Sequence, residues 1–138
     1  MKKMKLPVQK LERLKVGLVY MFGSQAVGIQ TPLSDIDLGV VFFDSKILED
    51  FRTRRKTHAQ LYKVFSEIFP PTFERELDIV FLQQTPVSFQ YSVISEGKVV
   101  YEGNPEFRAD YEEQVVDRYL DFKPVIDYFD QIFLERLG

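Results

Sequence analysis

Two aspartates two residues apart, Asp35 and Asp37, open an apolar run over residues 36–43. In a strand, residues i and i+2 point to one face and lie about 6.6 Å apart, so both carboxylates can address a single cation. A second apolar run, 76–82, carries Asp78 among Leu77, Ile79, Val80 and Phe81. Taken singly, Asp35 reads as a turn residue and Asp37 as an exposed strand-start carboxylate. Asp78 is harder to dismiss, because aspartate is depleted in strands. Three carboxylates brought together raise one another's pKa, and a bound cation removes that cost. Beside them, Gly23-Ser24 closes another apolar run. A glycine lets backbone approach a ligand closely, and amides at a helix start suit a phosphate. The chemistry implied is a divalent metal acting on nucleotide phosphates. It is not that of a Walker loop, since no Lys-Ser or Lys-Thr pair follows the glycines, and no G-x-G-x-x-G pattern occurs.

The elements that must position these groups follow from periodicity. Val16–Phe22, 36–43, 76–82 and the short Lys98–Glu102 read as strands. Leu6, Val8, Leu11 and Leu14 are spaced for a short amphipathic helix begun by Pro7. Asp44-Ser45 signals a second helix start. Its apolar stripe, from Leu48 and Phe51 to Phe65 and Ile68, is interrupted by a basic run from Arg52 to His58. That pattern allows one long helix or a loop followed by a helix from about Thr57, ended by Pro70-Pro71. Residues 86–96 read as a helix stopped by Gly97, and 106–137 as a helical tail with Pro124 inside it. Strands alternating with helices give an α/β chain with a mixed sheet and helices packed mainly on one face. The whole of 1–138 is read as one domain with a helical C-terminal tail at about 105–137.

Composition narrows the options. There is no cysteine and only one histidine, His58, which excludes disulfides and thiolate sites and makes a zinc cluster untenable. A metal here is a hard cation on oxygen ligands, magnesium or manganese. The net charge of −3 speaks against a nucleic-acid coat, and no direct nucleic-acid binding is expected. No apolar run approaches the ~20 residues that span a bilayer, and the Lys-rich start lacks a signal peptide's apolar core. The expected setting is cytoplasmic, without membrane contact. Of three readings of the basic run, a solvated helix face ranks first, a contact to nucleotide second, and an RNA or partner contact third. His58 reads as a bystander.

The stretch GSQAVGIQTPLSDIDLGVVF, a Gly-Ser, a spacer and an Asp-x-Asp, resembles the signature of the polymerase-β-type nucleotidyltransferase superfamily. It is most similar to that superfamily's minimal branch, the MNT proteins of the MntA-like antitoxin type. Leu77-Asp78-Ile79-Val80 falls where the family places its third carboxylate, with Glu74 and Glu76 close by as alternatives. Residues 95–102, SEGKVVYE, are similar to the family's closing segment, and the resemblance extends over about 15–107. It implies a polymerase-β-palm-like fold and a two-metal reaction. Asp35, Asp37 and Asp78 would hold the metal and do the catalysis, and Gly23, Ser24 and Ser34 would bind the nucleotide. Two ions ~3.5–4 Å apart would clamp the oxygens of an in-line displacement at the α-phosphorus of ATP.

The resemblance also implies a partner. Minimal members are typically encoded beside a HEPN-domain ribonuclease toxin, which they neutralise by transferring AMP to a tyrosine hydroxyl. The tail aromatics Tyr111, Tyr119, Phe122, Tyr128, Phe129 and Phe133 would suit a docking face, or equally a core. Two other classes stay open. One is a catalytically silent module that inhibits its partner by occlusion, the other a nucleotidyltransferase acting on a small molecule.

Overall fold

The computed structural model describes residues 6–23, 35–72 and 75–137. Four strands form one sheet in the order β3-β2-β1-β4: β1 Val16–Phe22, β2 Ile36–Phe42, β3 Leu77–Phe81 and β4 Lys98–Glu102. The central β1 is antiparallel to both β2 and β4, whereas β2 and β3 run parallel. Around the sheet lie α1 Val8–Arg13, α2 Phe51–Ile68, α3 Val87–Glu96 and α4 Pro105–Leu137.

Every residue of β1 before Phe22 is buried, and the strand feeds two apolar layers. Val19 and Met21 join the layer beneath α1 and α2, with Leu11, Leu61 and Phe65. Leu18 and Tyr20 join the other, with Val93 of α3 and Tyr111 and Val115 of α4. The helices therefore pack on both faces, not mainly on one. A strand with no polar residue has no face to leave in water, so it must be covered twice. The register shift between Val16 and Leu18 is a bulge at Gly17. A side chain at Gly17 would meet the Phe107 ring at 2.6 Å, so the glycine lets the start of α4 settle onto the strand.

The basic run lies within a single helix. After a short 3-10 turn at Ser45–Leu48, Asp50 starts α2 afresh, accepting from the Thr53 N–H (3.0 Å) and its hydroxyl (2.6 Å). The segment before α2 is thus a capped turn of its own, and the helix runs unbroken from Phe51 through His58 to Ile68.

Polar side chains dock α4. Tyr20, buried in β1, donates to Glu112 Oε1 at 2.6 Å, and Arg108 bridges that carboxylate (3.0 Å) and Glu102 of β4 (3.3 Å). Burial, reinforced by Glu112, pushes the Tyr20 hydroxyl well above its ordinary pKa, so it stays a donor. Tyr111 donates to Gln90 Oε1 at 2.7 Å, while Gln90 Nε2 donates to the Thr85 carbonyl at 2.9 Å. Tyr91 and Tyr119 then stack at 3.9 Å, and from Leu120 onward the large apolar side chains of α4 are exposed or half-exposed. Among the described residues no helix is long and apolar enough to cross a membrane.

The buried relay makes a testable claim. Tyr111→Phe leaves the buried Gln90 Oε1 without its donor, at a cost of about 1–3 kcal/mol. Urea unfolding should show that loss. Adding Gln90→Leu should cost less than the sum of the two single losses, because the pair acts together.

Candidate active site

β2 sorts its residues by parity. Ile36, Leu38, Val40 and Phe42 enter the layer beneath α2, so Asp37 faces the opposite side, with Val41. In β3, Leu77, Ile79 and Phe81 enter the same α2 layer, which puts Asp78 on the side of Asp37. The parallel register pairs Asp37 directly with Asp78, and the antiparallel register sets Asp37 opposite Phe22. Adjacent strands lie about 4.8 Å apart, so three strand ends bring Gly23, Asp37 and Asp78 side by side.

Gly23 is fixed by both conformation and space. Its φ of +75° lies in the left-handed region, and a Cβ there would sit 2.6 Å from Asp37 Oδ2. The strand-ending turn is thus laid against the carboxylate. Burial raises the Asp37 carboxyl above the usual carboxylate range, and the negative charges of Asp78 and then Asp35 push it in the same direction.

Asp35 has a further duty that its spacing did not reveal. Its Oδ1 accepts from the Glu76 N–H at 2.9 Å, and the Ile36 N–H donates to the Glu76 carbonyl at 2.9 Å. This clamp fixes where β2 and β3 begin, and hence the pairing of Asp37 with Asp78. Among the described residues, no three Asp, Glu or His side chains are gathered closely enough to hold an ion as they stand. Ser24, Ser34 and Glu74, named from the sequence, lie outside the described residues.

Beside Gly23 opens a cleft of about 370 Å³ lined by Phe22, Phe89, Ser92, Val93 and Glu96, with the rings of Phe22 and Phe89 edge to face at 5.6 Å. Residues 86–96 read from the sequence only as a helix stopped by Gly97, and nothing in their periodicity signalled this cleft. A larger pocket of about 420 Å³, reaching Asp44, Gln90 and Arg118, lies where β2 ends and includes none of the three aspartates.

The basic run does not join the site. His58 Nε2 lies 3.1 Å from the Ile79 carbonyl and its ring meets Phe81 edge-on, a residue of the α2 layer. Arg54 donates to the Leu48 carbonyl at 3.1 Å, and the guanidinium groups of Arg54 and Arg55 sit 5.3 and 5.7 Å from the exposed Phe51 ring. His58 holds α2 to the edge strand β3 on the face away from Asp37, and Arg54 ties the helix to the turn before it.

Residues 7–106 match the family model "Polymerase beta, Nucleotidyltransferase". The chain belongs to this nucleotidyltransferase family. The matched span takes in all four strands and the carboxylates just described. No curated protein matches it. Among solved structures, a toxin–antitoxin complex with AMP-PNP has a chain that is 22% identical, with a TM-score of 0.57; the match covers 90% of this chain and 98% of that one. A structure of a tri-AMPylated Shewanella oneidensis HEPN toxin with its MNT antitoxin matches at 19% identity and TM-score 0.55, covering 88% and 91%. The MntA–HepT complex matches at 19% and 0.55, covering 88% and 92%. At these identities the likeness establishes a shared nucleotidyltransferase fold.

The charge crowding at Asp37 has a sign that can be tested. Its carboxyl is raised, so the folded state disfavours the charged form. That cost is full above the raised pKa and absent once the group is protonated in both states. Asp37→Asn should therefore raise the urea midpoint at neutral pH, and the gain should vanish as pH falls through the carboxylate range. A variant no more stable than wild type at pH 7 would show that the charged form of Asp37 carries no such cost in the folded state.

Proposed function

We propose that this nucleotidyltransferase moves AMP from ATP to a tyrosine hydroxyl of a HEPN ribonuclease partner, and thereby acts as its antitoxin. The observation that carries the reading is the juxtaposition of Gly23, Asp37 and Asp78 on three neighbouring strand ends. The fold shared with chains of MNT–HEPN complexes, one of them with a tri-AMPylated toxin, supports the choice of partner and acceptor. An ATP-consuming antitoxin of a ribonuclease works in the cytoplasm, as one minimal catalytic domain with a helical tail.

Asp35, Asp37 and Asp78 are the residues to hold Mg²⁺ or Mn²⁺. They fit: all the donors are hard oxygens, and the like-charge cost at Asp37 is one that a cation removes. Closing them on an ion asks for side-chain rotation, since the strands already set the carboxylates about 4.8 Å apart. When bound, the cation offsets the triphosphate's charge and polarises the α-phosphorus. Gly23 brings backbone to within reach of the phosphates, with Ser24 and Ser34 adding hydroxyls. The acceptor oxygen forms its bond to the α-phosphorus as the bond to the bridging oxygen breaks, and pyrophosphate leaves. Asp78, exposed beside Asp37, takes the hydroxyl proton.

Two measurements test this. By calorimetry, ATP should bind well with magnesium and poorly with chelator, and Asp35→Asn, Asp37→Asn should lose that dependence while remaining folded. Mixed with a HEPN partner and Mg-ATP, the wild type should add one or more AMP masses to the partner. Asp78→Asn should abolish transfer far more than it weakens nucleotide binding, because its effect falls on the transition state. If no mass is added, and the double variant still neutralises the partner, inhibition is by occlusion and the chain is not acting as an enzyme.

A further inference from the structure

Beyond Tyr119, over the last five turns of α4, no side chain joins either apolar layer of the described residues, and the large apolar ones are exposed or half-exposed. Phe122 is 55% exposed, and Phe129 and Phe133 are 63% exposed. Phe122, Ile126, Phe129 and Phe133 recur at the four-three-four spacing that lays side chains along a seam for another helix, and Val125 and Ile132 flank it. Pro124 falls on the opposite side and does not obstruct this seam.

We propose that this arm pairs antiparallel with the arm of a second copy of the chain, about a two-fold axis. The inference does not depend on the reaction proposed above. In the register that alternates the seam residues, Phe122 meets the partner's Phe133, Ile126 meets the partner's Phe129, and Val125 meets the partner's Ile132. Each contact occurs twice, as two-fold symmetry requires. Next to the seam, Lys123 comes beside the partner's Asp130, so the polar rim is self-complementary as well. Within one chain Lys123 already reaches Asp127 Oδ2 at 2.7 Å, and the pairing gives it a second carboxylate to share. A parallel pair would instead set Arg136 against Arg136 and Arg118 beside Lys123, so charge selects the antiparallel arrangement.

Area agrees with this. Four rings on the arm (Phe122, Tyr128, Phe129 and Phe133) are 55–63% exposed. With 55–63% of ~150–250 Å² still open on each, the three seam rings can bury ~80–160 Å² apiece, and with the aliphatics beside them two copies reach the order of 1,000 Å², the threshold for a specific interface. An anionic lipid surface is the wrong occupant, since residues 120–137 carry four acidic side chains against two basic ones.

The test is the mass of the full chain in solution, by light scattering and sedimentation equilibrium over a wide concentration range. Wild type should be a dimer, and Phe129→Asp, with helical circular dichroism unchanged, a monomer. Lys123→Glu and Asp130→Lys should each weaken dimerisation roughly fivefold or more, since each breaks two symmetric ion pairs and places like charges together. The combined variant should recover it. A wild type that stays monomeric, a dimer that survives Phe129→Asp, or a combined variant no tighter than the single ones would overturn the proposal. So would an arm protected from hydrogen exchange only after a HEPN protein is added, which would assign this face to that partner.

Discussion

The parallel pairing of β2 with β3 sets one carboxylate against another, and much of the molecule exists to hold that unfavourable contact. Asp37 faces Asp78 in register, with the Gly23 turn pressed to its Oδ2. Left to themselves, two like charges on neighbouring strands would favour a slip. A one-residue slip, however, would move Ile36, Leu38 and Val40 out of the α2 layer and turn Asp37 into it. The apolar face therefore holds the polar face in a register that the polar face alone would not choose. The Asp35–Glu76 clamp fixes the same register at the strand starts, next to the two aspartates.

This division explains what could be read in advance. β2 and β3 were legible as apolar runs, each broken by a single aspartate near its start, and period two then puts Asp37 and Asp78 on the faces away from Ile36, Leu38, Leu77 and Ile79. The aspartates, and the strand that each belongs to, followed from it. β1 gave no such signal. Its unbroken apolar run identified a central strand buried on both faces but named no helix to cover either one, and the expectation of helices mainly on one face missed the layer beneath α3 and α4.

Contacts made by backbone and by single polar atoms were the least legible. Asp35 reads as a metal-facing carboxylate from its spacing, yet one of its oxygens is engaged by the Glu76 amide across the strand gap. His58 and Arg54 read as a run of charge along a helix, and the structure spends both on carbonyl oxygens, at Ile79 and Leu48. Composition counts charges, but it does not count the backbone acceptors that claim them, one in an edge strand and one in the turn before α2. The break before α2 was likewise a matter of caps: Asp44 and Asp50 each close a separate turn, and only the second leads into the long helix.

The boundary of the family match falls where the physical character of the chain changes. Residues 7–106 carry the sheet, the carboxylates and the Gly23 turn, and α4 begins at Pro105. The first part of α4 is bound to that body by directional contacts, Tyr20 to Glu112 and Tyr111 to Gln90, which fix its position because each buried polar atom has a specific partner. The rest has a stripe of rings and branched side chains, whose attraction scales with area and sets no single geometry by itself. Specificity there must come from the rim, where Lys123 and Asp130 stand one heptad apart on the same side of the stripe. A helix anchored by polar contacts at one end and apolar at the other can gain or lose its cover without moving Asp37 or Asp78. The chemistry and the assembly of this chain are thus separable by mutation.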